Sequence, residues 1–404
     1  MASAPSRDRS RTMRTNPDPA PARPGRWTWA EIDLGAVGDN VRALAALLRP
    51  PTRLLAVVKA DAYGHGAPAV ARAAIEAGAW AVGVATTEEG VQLRREEIGV
   101  PILLLGHTPA EDAETVVAHD FSVTVFQPEV VRALSRAASR QGRPAKIHLK
   151  IDTGMGRFGV APADAAAVAR EAHALGGIVL EGCFTHFATA DEADLEPARA
   201  QLDAFRRVLR DLEEAGIPVG LRHAANSAAV LALPESHLDL VRPGITVYGI
   251  LPAPHLGGRI RLRRVMRFRT RVAHVKQVSS GTPIGYGRTY RAARATTIAT
   301  LPVGYADGYP RLPSGNGEVA LGGRRLPIAG RVSMDSCTID AGNAPVRVGD
   351  EVELWGDGVP VEEVAERART IAYEILAGVS RRVPRVFVRN GQVVGSRTLL
   401  GDDG

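Results

Sequence analysis

Residues 57–66 read VVKADAYGHG, a lysine set between an apolar run and a turn that carries two glycines. The run that feeds into it, residues 54–58 (LLAVV), has the length and β-branched content of a buried strand. Gly64 and Gly66 permit the tight backbone geometry of a strand-end loop. Lys59 is thus predicted to stand at the end of a strand.

The residue type is as telling as its place. Of 50 Lys and Arg side chains, only Lys59, Lys146, Lys150 and Lys276 are lysines. Arginine stays protonated at any working pH, whereas a lysine in a partly desolvated pocket can lose its proton and attack a carbonyl as a Schiff-base former.

Outward from this stretch, short β-rich runs alternate with helical patterns. The runs are residues 54–58, 80–85, 102–105, 122–125, 146–151, 178–184, 221–224 and 238–241, with helical periods at 67–77, 129–140, 163–173 and 197–215. Eight strands in strict alternation predict a (β/α)8 TIM-type barrel, the alternative being a doubly wound sheet. Lys59, Arg157, His186, Ser227 and Arg242 all fall just after strands. In a barrel those ends converge on one face, whereas an open sheet spreads them along a crevice.

After about residue 263 the texture changes to short strands and glycine turns, with strands expected at 296–301, 318–321, 346–355 and 385–394 and one helix at 361–377. The expected organisation is an arm at 1–27, a barrel at 28–262 and a mostly β C-terminal domain at 263–404.

The net charge is +6, but residues 1–26 contribute six Arg and two Asp, so the remainder is near neutral and gives no footprint for nucleic acid. The Pro-rich arm has no apolar core and reads as an unstructured extension rather than a secretory signal. No apolar run approaches the ~20 residues of a membrane-spanning helix. Cys183 and Cys337 form neither a metal pattern nor a disulfide framework, which suits a reducing cytoplasm.

VVKADAYGHG, together with GMGRFG (154–159) and GRVSMDSC (330–337), resembles the signatures of the bacterial alanine racemases. The resemblance runs from about residue 29 to near 395. It implies a barrel followed by a β domain, pyridoxal 5'-phosphate (PLP) as cofactor, and interconversion of L- and D-alanine for peptidoglycan. It also implies Lys59 as the attachment lysine and Tyr63, Ser227, Gly244 and Ile245 as phosphate contacts. Ser227 on its own reads as the N-cap of the helix that follows. Arg242 matches the arginine placed against the pyridine nitrogen, and His186 the histidine that links this arginine to a catalytic tyrosine.

That tyrosine matches Tyr286, which would serve the face of the substrate opposite Lys59, since racemisation needs a base on each side of a planar centre. Arg157 would meet the cofactor's phenolic oxygen and the substrate carboxylate. Tyr305 and the N–H of Met334 would also bind that carboxylate, and Tyr286, Tyr305 and Met334 would come from the second subunit of a homodimer. Lys150 matches a lysine that some members carry as a carbamate, while Asp152 reads as a brace for its turn. Asp191, Arg311 and Arg331 match entrance residues. Ser333 stands where many members have cysteine, and Arg381 where a phosphate-contacting tyrosine is expected. The same chemistry on serine, a decarboxylase of this fold class, or a non-catalytic PLP carrier are the alternatives.

Overall fold

The computed structural model describes residues 25–403; the expected N-terminal arm lies almost wholly outside them. Of eight parallel strands, Arg53–Val57, Ala81–Val84, Ile102–Leu104, Ser122–Val125, Ala145–Lys150, Ile178–Phe184, Leu221–His223 and Leu240–Val241, the first seven pair in succession. The last returns to the first through Leu54↔Val241, and the remaining seam carries a single parallel bridge, Asn226↔Arg242. This is a nearly closed barrel. The doubly wound sheet is ruled out, because that topology leaves two open edges.

The period-2 alternation of the strands sorts their side chains. Leu54, Ala56 and Val58 join the large apolar layer under the helices, while Leu55, Val57, Ala81, Leu103 and Leu240 form a separate cluster. On the other side of the barrel His148 and His223 meet, so the interior is apolar along its first strands and polar along its later ones.

The C-terminal part is built on an eight-stranded sheet in which Met266–Arg271 and Arg385–Arg389 flank Thr28–Asp33. Thr28–Asp33 lies in the range expected for the barrel, yet it pairs in this second sheet. Its six residues are all buried, which suits a central strand. A three-stranded sheet, His274–Val278, Thr296–Leu301 and Cys337–Gly342, completes the region.

Three local expectations need correction. The helix expected at 361–377 is two helices, Val361–Arg367 and Ala372–Ala377, broken where Arg369 takes a left-handed φ of 56°. The strand expected at 346–355 begins only at Glu351, after a turn in which Asp350 accepts from the Arg347 N–H and Gly349 has φ 94°. The run 385–394 is a hairpin, Arg385–Arg389 with Gln392–Thr398, because Asn390 and Gly391 both take positive φ. Among the described residues no helix is long and apolar enough to cross a membrane.

Candidate active site

A cavity of about 610 Å³ opens at the C-terminal ends of the barrel strands. It is lined by Lys59, Tyr63, Lys150, Arg157, His186, Asp191, Ser227, Arg242, Gly244 and Ile245. Ten candidates drawn from widely separated stretches therefore share one space.

The segment after Lys59 is no ordinary loop. Ala60, Asp61, Ala62 and Tyr63 all lie in the left-handed region, with φ between 52° and 55°, forming a left-handed helical turn. Each such residue costs roughly 1–2 kcal/mol, so the surroundings must hold the turn. Glu89 accepts from Ala60 N–H at 2.6 Å and from Ala85 N–H at 2.7 Å. The Asp61 carboxylate accepts from Ala67 N–H and pairs with Arg397 at 2.9 Å. Buried Arg385 donates to the Gly64 carbonyl at 3.0 Å, and Gly64 itself is required because a β-carbon there would lie 2.2 Å from Leu376 O.

The turn presents Lys59 and Tyr63 to the cavity. Burial, aided by the charge of Arg157, pulls the Lys59 amine below the ordinary lysine value. Burial pushes the Tyr63 hydroxyl up to about 12, so it stays a hydrogen-bond donor at working pH. That hydroxyl approaches Gly244 so closely that a β-carbon at Gly244 would lie 2.6 Å from it.

Ser227 is not the cap of its helix. Asn226 is, accepting from Ala229 N–H at 3.0 Å, whereas Ser227 Oγ accepts from Gly244 N–H at 2.8 Å and faces the cavity. Arg242 is buried and has no carboxylate among its hydrogen-bond partners. Nη1 donates to His223 Nδ1 at 2.9 Å, and Nη2 donates to Thr185 O, Ala224 O and, at 3.3 Å, His186 Nδ1. Burial lowers the guanidinium only to about 9, so it remains a cation. Burial and that nearby cation hold His186 well below the usual histidine range.

Arg157 projects from a turn braced by Asp152, whose Oδ1 accepts from the N–H groups of Gly154, Met155 and Gly156. Lys150 is 4% exposed, with its amine over the rings of Phe158 and Phe184. Burial and the charges of Arg157 and Arg242 lower it to about 8.

Tyr286, Tyr305, Met334, Arg311 and Arg331 lie outside this cavity. Tyr286 and Arg331 line a second one of about 380 Å³ with Ser333. Tyr305 and Met334 lie alongside one another through Tyr305 N–H donating to Ser333 O and Ala306 N–H to Met334 O. Tyr286 is 71%, Met334 54% and Tyr305 41% exposed. Arg311 lines a neighbouring groove with Glu374, which also borders the first cavity.

Arg381 does not line the cavity, but Tyr373 does, its ring 6.0 Å from that of Tyr63. A tyrosine thus borders the cavity eight positions before Arg381. Sequence reading also missed Glu89 and Asn226. The pattern Thr86-x-x-Glu89, a capping-box signature that the structure forms, could have drawn attention to Glu89.

The family model "Alanine racemase, N-terminal domain" matches residues 32–252, and "Alanine racemase, C-terminal domain" matches 265–387. The chain belongs to the alanine racemase family. An alanine racemase of Symbiobacterium thermophilum is 49% identical over 90% of this chain and 97% of its own length. The solved alanine racemase of Clostridium difficile superposes with a TM-score of 0.90 at 38% identity, covering 93% of this chain and 99% of that one. That of D-cycloserine producing Streptomyces lavendulae gives 0.87 at 43%, covering 91% and 98%. In alanine racemase terms, the cavity is walled mainly by the N-terminal domain, with Tyr373 and Glu374 of the C-terminal domain at its border, and the exposed Tyr286 cluster belongs to the C-terminal domain.

Proposed function

We propose that this isomerase interconverts L- and D-alanine with PLP as its cofactor. The observation that carries the reading is the convergence on one barrel-end cavity of an amine of lowered proton affinity, Lys59, a buried guanidinium, Arg242, and the hydroxyls of Tyr63 and Ser227.

The residues fit PLP. Two hydroxyls stand beside the backbone of Gly244 and Ile245, and the missing β-carbon of Gly244 leaves room for the Tyr63 hydroxyl to reach that backbone. Tyr63, Ser227, Gly244 and Ile245 would hold the phosphate, Lys59 the aldehyde carbon, Arg242 the ring nitrogen and Arg157 the phenolic oxygen. Bound there, PLP supplies an electron sink that acidifies the α-proton of an attached amino acid. Arg242 donates but keeps its own proton, which restrains that sink and favours simple return of the proton over side reactions.

Lys59 takes or returns the proton at Cα from one face, and the Tyr286 hydroxyl acts on the other. Because Tyr286 is exposed and outside the barrel cavity, it would act in a second copy of the chain, in a homodimer with two-fold symmetry. His186, bonded to Arg242, would meet that tyrosine. Arg157, Tyr305 and the Met334 N–H would hold the substrate carboxylate, with Asp191, Arg311 and Arg331 at the entrance. The Lys150 amine, lowered to about 8, is disposed to add carbon dioxide as a carbamate whose oxygens would face Arg157. A cytoplasmic site of action and supply of D-alanine to peptidoglycan complete the reading.

Racemisation of L-alanine and L-serine measured side by side tests it, with alanine expected to be the faster. Borohydride reduction and peptide mapping should place the pyridoxyl group on Lys59. Faster turnover of serine, or the label on another lysine, overturns the corresponding part.

A further inference from the structure

TIM barrels are ordinarily filled by branched apolar side chains, but half of this interior holds a hydrogen-bonded string. Arg242 Nη1 meets His223 Nδ1 at 2.9 Å, His223 Nε2 meets His148 Nδ1 at 2.8 Å, and His148 Nε2 meets Glu181 Oε2 at 3.1 Å. Ser122 Oγ donates to the same carboxylate oxygen. His148, His223 and Arg242 are buried, and the Glu181 side chain is 25% exposed.

The string admits one polarity. A guanidinium only donates, so His223 Nδ1 must accept and its proton sits on Nε2. That proton is donated to His148 Nδ1, whose own proton therefore sits on Nε2 and is donated to Glu181. The far end is a carboxylate, an acceptor, so both ends demand the same arrangement. Two features of the backbone make room for it. The pairing of the fifth and sixth barrel strands shifts register between Ile147 and His148, and a β-carbon on Gly182 would lie 2.4 Å from His148 Nδ1. The His223 ring stacks on Phe184 at 4.7 Å with 6° between planes, and Arg242 lies over the same ring.

We propose that Glu181, His148 and His223 are positioning residues for Arg242, a string of fixed polarity that locks the guanidinium's orientation. This rests on the reading of Arg242 as the group facing the cofactor's ring nitrogen. Supporting it, burial and the Arg242 charge hold His223 well below the usual histidine range, so it is neutral. Burial alone would raise the Glu181 carboxyl, but hydrogen bonds from His148 and Ser122 more than offset this and keep it ionised.

The test begins on the unaltered full-length chain, with and without PLP, by nitrogen-15 NMR of labelled histidines. Both His148 and His223 should be neutral and protonated on Nε2 at pH 7; protonation of either on Nδ1 overturns the string. With PLP bound, Glu181→Leu should lower kcat about ten- to a hundred-fold, the weight of a hydrogen bond to a charged group. It should change KM for alanine by less than about two-fold and alter the cofactor's absorption spectrum. Glu181→Gln, which keeps an acceptor oxygen, should recover most of kcat. Unchanged kcat and spectrum in Glu181→Leu exclude a positioning role. Absence of racemase activity in the unaltered enzyme would instead sink the proposed function, leaving the tautomers to be judged on their own.

Discussion

The Tyr63 hydroxyl lies 2.6 Å from the point that a β-carbon on Gly244 would occupy, so the two residues share a single space. Gly244→Ala should therefore displace that hydroxyl and weaken PLP binding about ten-fold or more, the loss of one hydrogen bond to a charged group. Tyr63→Phe should give a similar loss without moving the backbone. Equilibrium dialysis of the two variants checks this, and unchanged affinity in both removes Tyr63 from the phosphate contacts.

The left-handed turn after Lys59 is strained at an exposed position, Ala60, where φ is 52°. Ala60→Gly should relieve the strain and stabilise the protein by about 0.5–1 kcal/mol. Ala60→Val, β-branched at positive φ, should destabilise it. Thermal unfolding of the two variants should move in opposite directions.

Lys150 titrates near 8 in the folded protein against an ordinary 10.5. Between those values the unfolded chain binds the proton and the folded chain does not, so stability should rise with pH from about 8 to 10.5. Urea midpoints in CO2-free buffer should show that rise, and Lys150→Met should flatten it. Added bicarbonate should leave a rise, because the unfolded chain still holds the proton that a folded carbamate lacks, and should give a carbon-13 carbamate resonance that Lys150→Met abolishes.

If each site draws Lys59 from one chain and Tyr286 from another, inactive variants should rescue one another. Half the dimers in an equal mixture of Lys59→Ala and Tyr286→Phe chains are mixed, and each has one intact site of two. Activity should return to about a quarter of the unaltered level after subunit exchange. No recovery, once exchange is demonstrated by mass, argues for sites built within one chain. Tyr286→Phe alone should slow α-deuterium wash-out from L-alanine more than from D-alanine.

The barrel was legible because each strand is a short apolar run with helical period on either side, and the half-site at its mouth because motif residues follow those runs. What escaped reading depended on partners distant in sequence. Thr28–Asp33 falls in the range read as barrel, but Arg385–Arg389 and Met266–Arg271 claim it. The left-handed turn is invisible to propensity, since alanine does not favour that region; it is imposed by Glu89, Arg385 and Arg397. The Asn390-Gly391 turn, by contrast, was written in the sequence and overlooked. Tyr373 was hidden inside a helical pattern, and it lies beside Tyr63 in a helix that follows the break at Arg369.

Residue 30 pairs with both residue 268 and residue 385. A ribosome therefore releases this strand long before either neighbour exists, whereas the barrel strands, from Arg53 to Val241, are all made before residue 266 emerges. The barrel can close during synthesis, but the second sheet must wait for the last part of the chain, as expected for contacts so distant in sequence. Until then a segment that ends up wholly buried hangs unpaired from a finished barrel. Slow decoding over the final stretch would prolong that exposure, making translation speed near the 3' end of the message a determinant of how much enzyme reaches its folded form.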